Sequence, residues 1–140
     1  MDKEDKSYLP YSNREEFKDF AIIEYINFNM YGTNREGNEE DIAYRLSKLN
    51  IHEESIIISH VPPHKCLDKG NNGVYYGSKA IRDMIKEKKP RIFFCGHVHE
   101  DFSFKKLYNT LVFNAACDDE ITRGWVVDLE TAKYEMINLT

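Results

Sequence analysis

The 140-residue chain has no long apolar run. Its hydrophobic stretches last only a few residues, far short of the roughly 20 that a membrane-spanning helix needs. The opening MDKEDKSYLPYS is charged from the start, unlike a secretory leader. These absences make the cytoplasm the expected compartment and leave no membrane partner. Cysteine is scarce as well: Cys66, Cys95 and Cys117 are an odd number with no short repeat between them. That pattern argues against a disulfide framework or a cysteine-built zinc knuckle, and each thiol reads as a small buried hydrophobe. Nor is there an excess of positive charge. The 19 Lys and Arg are interspersed with 24 Asp and Glu, for a net charge of -5, so no face is built to gather nucleic-acid phosphates. Internal repeats, low-complexity tracts and proline-rich linkers are also missing, so residues 1–140 read as one domain, with residues 1–13 loosely ordered.

What is present suffices for a core, with 41% hydrophobic residues and 13% aromatics. REEFKDF has the pattern of a short helix, and AIIEYINFNMYG, mixing β-branched and aromatic residues, that of one strand or a hairpin. NEEDIAYRLSKLN places an Asn cap before acidic residues and sets Ile42, Leu46 and Leu49 at helical spacing. ESIIISH follows as a short buried strand. VPPHKCLDKGNNGVYYG is too rich in Pro, Gly and Asn for regular structure. Ser78 caps a second helix with Ala80, Ile81, Met84 and Ile85 on its apolar side, Pro90 ends it, and RIFFCG is the next buried strand. Strand, helix and strand in this order mark a βαβ unit with a parallel sheet. FSFKKLYN, TLVFNAA, RGWVVDL and KYEMINL then read as short, mainly antiparallel strands. The fold class is α/β.

Open α/β sheets bind ligands at the carboxyl ends of their strands. Both strands of the βαβ unit end there in histidine: His60 closes SIIISH, and His97 with His99 closes RIFFCGHVH. In an extended segment residues i and i+2 point to one side, so His97 and His99 can face one centre while Val98 turns to the core. Gly96 lets the backbone turn just before them. Neutral imidazoles suit zinc, iron, manganese or nickel. A strand-end histidine is also an ordinary polar closure, and spacing alone does not choose between the two. His52, after a helix end, reads as a surface group. His64 either lines a substrate entrance or faces solvent, and the helix start at Ser78 offers N–H groups to an anion, as every helix start does. Tyr75 and Tyr76 can stack on a base, although packing on the sheet is the commoner role.

The stretch SHVPPHKCLDKGNNGVYYGSKAIRDMIKEKKPRIFFCGHVHE resembles the second half of calcineurin-like metallophosphoesterases, with a strand-end His followed by PP, a GSKA helix start and Gly-His-x-His. TLVFNAA is more loosely similar to a strand that in the family ends in an Asn-Pro-Gly turn; Asn114 is kept as a possible supporting residue. The resemblance implies a four-layer α/β/β/α sandwich, here partial, with two metal ions at the strand ends, His60 and His97 on one and His99 on the other. Two such ions, manganese, iron or zinc, about 4 Å apart can clamp a phosphate and activate a bridging water for attack on phosphorus. The implied activity is hydrolysis of a phosphomonoester or phosphodiester.

The family's earlier motifs, Asp-x-His and Gly-Asp-x-x-Asp, are absent, and GNEED imitates its Gly-Asn-His with Glu39 where the catalytic histidine would stand. The same segment also fits a helix cap. Three neutral imidazoles without bridging carboxylates do not offset the repulsion between two divalent ions, so one ion or none is expected for this chain alone. Asp101, Asp118, Asp119 and Glu120 are either substitute ligands or a solvated turn. A sheet without its first strands would expose an edge, which points to self-association or a complementing N-terminal half. The expected catalytic residues stay unassigned. The alternative is a noncatalytic subunit that keeps the fold and binds a protein partner.

Overall fold

A computed structural model describes residues 21–25, 28–33 and 38–140. The stretch read as a helix, REEFKDF, and the loosely held residues 1–13 lie outside them. Two strands, β1 (Ala21–Tyr25) and β2 (Phe28–Thr33), form an antiparallel hairpin, which decides between the one-strand and hairpin readings. Next come α1 (Glu39–Ser47), β3 (Ser55–Ser59), α2 (Lys79–Lys88) and β4 (Ile92–Cys95). A 3₁₀ turn (His99–Asp101) leads into β5 (Ser103–Leu107), β6 (Thr110–Asn114), β7 (Arg123–Val127) and β8 (Tyr134–Asn138).

The six-stranded sheet runs β1-β2-β3-β4-β6-β5. Its centre, from β2 through β3 and β4 to β6, is parallel, and both rims are antiparallel. The β1–β2 hairpin pairs along β3 through β2, so β3 is an interior strand and β1 and β5 are the edges of the sheet. Strands β7 and β8 form a separate antiparallel ribbon.

Alternation along the parallel strands divides the core in two. Ile57, Phe93 and Val112 face the helices and meet Leu46, Ile81, Met84 and Ile85. Ile56, Ile92 and Phe113 face the other way, against Trp125 and Val127 of the ribbon. Each such fully buried side chain contributes about 1.5–3 kcal/mol. Aromatic contacts tie the ribbon on, with Phe113 and Trp125 centred 5.3 Å apart and Phe104 and Tyr134 4.4 Å apart. Helices, sheet and ribbon make three layers of the expected sandwich. The ribbon is narrow, however, and Ile58, on its side of the sheet, stays 40% exposed.

Local signals explain the helix limits. Asn38 accepts the Asp41 N–H at 2.8 Å and starts α1 ahead of three acidic residues. Ser78 accepts the Ile81 N–H at 3.1 Å and starts α2, and Lys89, in a left-handed conformation before Pro90, ends it. Cys66 and Cys95 are buried as expected, and burial pushes the Cys66 thiol up to about 11. Cys117 is exposed instead, because it lies beyond β6 where the chain has left the sheet. Among the described residues, no helix is long and apolar enough to cross a membrane.

The β7–β8 connection turns on Asp128, whose Oδ1 accepts the N–H groups of Glu130 at 2.9 Å and Thr131 at 3.0 Å. The Thr131 and Glu130 N–H groups hold this carboxyl below its ordinary 3.8. A lowered carboxyl favours the folded turn at pH above 3.8 and gives up that contribution as pH falls through its folded value. A carboxyl-carbon NMR titration is expected to place the Asp128 midpoint below 3.8. A midpoint at or above 3.8 would show that the turn does not hold the carboxylate.

Candidate functional site

The parallel pairing of β3 with β4 brings their carboxyl ends side by side, and the histidines with them. His60 Nε2 lies 2.9 Å from His97 Nδ1, with the rings nearly perpendicular. One nitrogen donates and the other accepts. Two nitrogens on one zinc-sized ion at about 2.1 Å each sit roughly 3–3.4 Å apart, so the separation of this pair is close to that of two ligands, and the donating nitrogen would have to give up its proton to ligate.

The local backbone differs from the expected extended segment. Gly96 does not make the turn. His97 does, at φ +70°, and His99 begins the 3₁₀ turn, so the i, i+2 relation no longer sends both rings to one side. Such a conformation costs a non-glycine residue of order 1 kcal/mol and persists where its surroundings demand it. Val98 is buried between them as expected. The His99 ring turns to Asp118, with Nδ1 3.9 Å from Oδ2. Asp118 Oδ1 accepts the Glu120 and Ile121 N–H groups, and the Ile121 and Glu120 bonds hold its carboxyl below the usual range. CDDE is thus a solvated turn whose first acid reaches a candidate ligand. Among the described residues no group of three or more His, Cys, Asp or Glu side chains is arranged to hold an ion. His60 and His97 bring together two imidazole nitrogens, fewer donors than the four a zinc ion takes.

The other candidates occupy two places. His64 and Ser78 line one cavity together with His97, about 650 Å³ in volume and walled also by Glu39, Tyr75 and Tyr76. Glu39 does not stand free there: Oε2 accepts the Ser78 hydroxyl at 2.7 Å, and Oε1 accepts the Lys79 and Ala80 N–H groups. The helix start read as an anion site is filled by this carboxylate, while Asn38 is the cap of α1. Asn114 is wholly buried at the end of β6. Its Nδ2 donates to the carbonyls of Leu67 at 3.1 Å, Val98 at 2.8 Å and Asp101 at 3.0 Å, and its Oδ1 accepts the Ala116 N–H at 2.8 Å. It ties the loop after β3 to the histidine turn after β4.

Asp68 was not singled out by the sequence. It is buried, its Oδ2 accepts the N–H groups of Lys65 at 2.9 Å and Gly77 at 2.8 Å, and His64 Nδ1 stands 4.0 Å away. The signal that points to it is an acid in a glycine-bearing loop that must satisfy its own backbone. Asp101 and Glu100 fasten the same loop by accepting the Lys69 and Asn71 N–H groups. Gly77 passes so close to the Pro63 carbonyl that a Cβ would collide with it, and would lie 2.7 Å from Asp68 Oδ2. At Gly96 a Cβ meets nothing within 4 Å.

Two stability measurements check this arrangement by urea unfolding. Asn114→Ala removes the shared donor from three carbonyls, of which Val98 keeps the Asp101 N–H at 3.3 Å, and is expected to cost about 2–4 kcal/mol; a loss under about 1 kcal/mol would show that the clamp is dispensable. Gly77→Ala is expected to cost more than about 2 kcal/mol and Gly96→Ala less than about 1 kcal/mol. The reverse order would return the turn to Gly96.

Over 109 residues the chain is 34% identical to an uncharacterised protein of Methanocaldococcus jannaschii, covering 66% of this chain and 49% of that protein. One crystal structure superposes with a TM-score of 0.66 at 20% identity, over 85% of this chain and 52% of that one. A crystal structure of a Thermus thermophilus protein does so with a TM-score of 0.61 at 16% identity, over 86% and 57%. The chain thus spans about half the length of the proteins it matches. The sequence profile of the calcineurin-like phosphoesterases, a family that generally uses divalent metals, matches residues 3–101, more than half of the chain and including His60, His97 and His99, and the chain therefore belongs to that family.

Proposed function

We propose that the chain supplies the histidine half of a metal-dependent phosphoesterase site, with His60 and His97 ligating one divalent ion and His99 ligating another. The observation that carries this reading is the 2.9 Å approach of His60 Nε2 to His97 Nδ1 at adjacent strand ends, held by a left-handed backbone at His97. A bound ion would polarise a phosphoryl oxygen and bring the pKa of a coordinated water toward neutrality. Around it Asn114 keeps the two loops in register, and His64 and Ser78 border the space a phosphoester would enter. Manganese, iron and zinc all suit imidazole with added carboxylates. The bridging carboxylates of a two-ion site would come from a complementing N-terminal half or from another copy. Phosphomonoesters and phosphodiesters are both compatible with an open site of this kind.

A second reading, a noncatalytic subunit that binds a protein partner, is favoured by the exposed Ile58 beside the narrow ribbon. It predicts an assembly indifferent to loss of the histidines.

Metal content per chain, measured by elemental analysis, separates the two. The wild type is expected to carry about one ion and to lose thermal stability with chelator, and His97→Ala/His99→Ala to carry none. No metal in either protein would sink the phosphoesterase reading. Turnover of phosphomonoesters and phosphodiesters with manganese is expected only when a separately made N-terminal half is added.

A further inference from the structure

The loop after β3 holds an aromatic surface that neither the core nor the histidines account for. Tyr76 lines the cavity that also contains His97, and it is 46% exposed. Exposure of so large a ring is ordinarily accompanied by rotational freedom, yet this one is held on two sides. Its Cε2 lies against Gly70, where a Cβ would come to 2.7 Å, so only glycine admits the ring at this position. Its hydroxyl accepts a hydrogen bond from Asn72 Nδ2 at 2.7 Å, and Asn72 Oδ1 is itself fixed by the Val74 N–H at 3.0 Å. The Tyr76 N–H donates to the Asp68 carbonyl at 2.9 Å. Among the described residues no ring and no cation stacks on Tyr76, whereas the neighbouring Tyr75 ring has Lys65 and Lys69 ammonium groups 5.7 Å from its centre and His64 at its edge.

We propose that Tyr76 is a preformed stacking surface for a planar aromatic group of the substrate, which makes the substrate class a nucleobase-bearing or aryl-bearing phosphoester. The inference rests on the phosphoesterase reading for the phosphate end. The cavity, about 650 Å³, has the volume of a small-molecule site and runs from His97 to the tyrosines. Ile42 and Val61 give it apolar walls, and the Glu39 carboxylate on its lining opposes a second anionic group at that end. A rigid, half-open ring beside an apolar wall favours a flat ring over a flexible polar chain, because stacking then costs little ordering of the protein.

The test is binding of AMP, ribose 5-phosphate, phenyl phosphate and adenosine to the full chain, by NMR or calorimetry, in wild type, Tyr76→Leu and Tyr76→Trp. AMP is expected to bind about fivefold to a hundredfold more tightly than ribose 5-phosphate. Tyr76→Leu is expected to abolish that ratio while leaving ribose 5-phosphate unchanged, and Tyr76→Trp to restore it. Phenyl phosphate sharing the Tyr76-dependent gain identifies aryl esters in general; a gain confined to AMP identifies nucleotides. Adenosine held through Tyr76 with no gain from phosphate supports the stacking surface and counts against the phosphoesterase reading. Equal affinities for AMP and ribose 5-phosphate, an AMP preference that survives Tyr76→Leu, or no binding of either AMP or adenosine would overturn the proposal.

Discussion

At the end of β6 the carboxamide of Asn114 shares two N–H groups among three carbonyls and accepts a fourth partner, and it does so out of reach of water. Those carbonyls belong to the loop after β3 and the turn after β4. Without a donor common to both, each loop would need water at its buried carbonyls, and the strand ends would open to admit it. The register of His60 against His97 therefore depends on a side chain from a third strand. Trp125 extends the same junction by donating its indole N–H to the Asn114 carbonyl at 2.9 Å, which couples the ribbon to the site.

The loop from Val61 to Gly77 shows how an irregular segment becomes rigid. It has no strand pairing beyond two isolated bridges, yet Pro62, Pro63, Cys66, Leu67, Asp68 and Gly70 are buried. Carboxylates replace a ladder: Asp68 binds the loop to itself, while Asp101 and Glu100 bind it to the histidine turn. Glu39 performs a related task for α2. Its carboxylate occupies the start of that helix by accepting the Ser78 hydroxyl and the Ala80 N–H. Among the described residues no three metal-ligating side chains are gathered to hold an ion.

Much of this was legible in the residues. The two capped helices, the parallel βαβ unit and the later strands follow from periodicity and from Asn38, Ser78 and Pro90, because local propensity and the apolar stripe agree there. The approach of His60 to His97 follows from their placing at ends of adjacent strands. Other features were not legible. The expectation that Gly96 turns the chain failed because glycine permits a left-handed backbone without requiring one, and the hydrogen bond from the Gly96 N–H to the His60 carbonyl leaves the turn to His97. The exposure of Tyr75 and Tyr76 was missed because a loop's path decides whether an aromatic finds a sheet to pack on.

The sequence by itself determined which segments are helix and strand, that the central strands are parallel, and that imidazoles gather at their carboxyl ends. These are properties of short stretches, set by side-chain period and capping. Only the tertiary structure decided that the hairpin covers β3, that Glu39 fills a helix start, that Asn114 joins two loops, and that Tyr76 is pinned against Gly70. Each of these joins residues far apart in the chain or depends on the closeness of two backbones, and buried polar groups find their partners only after the core has chosen how the elements pack.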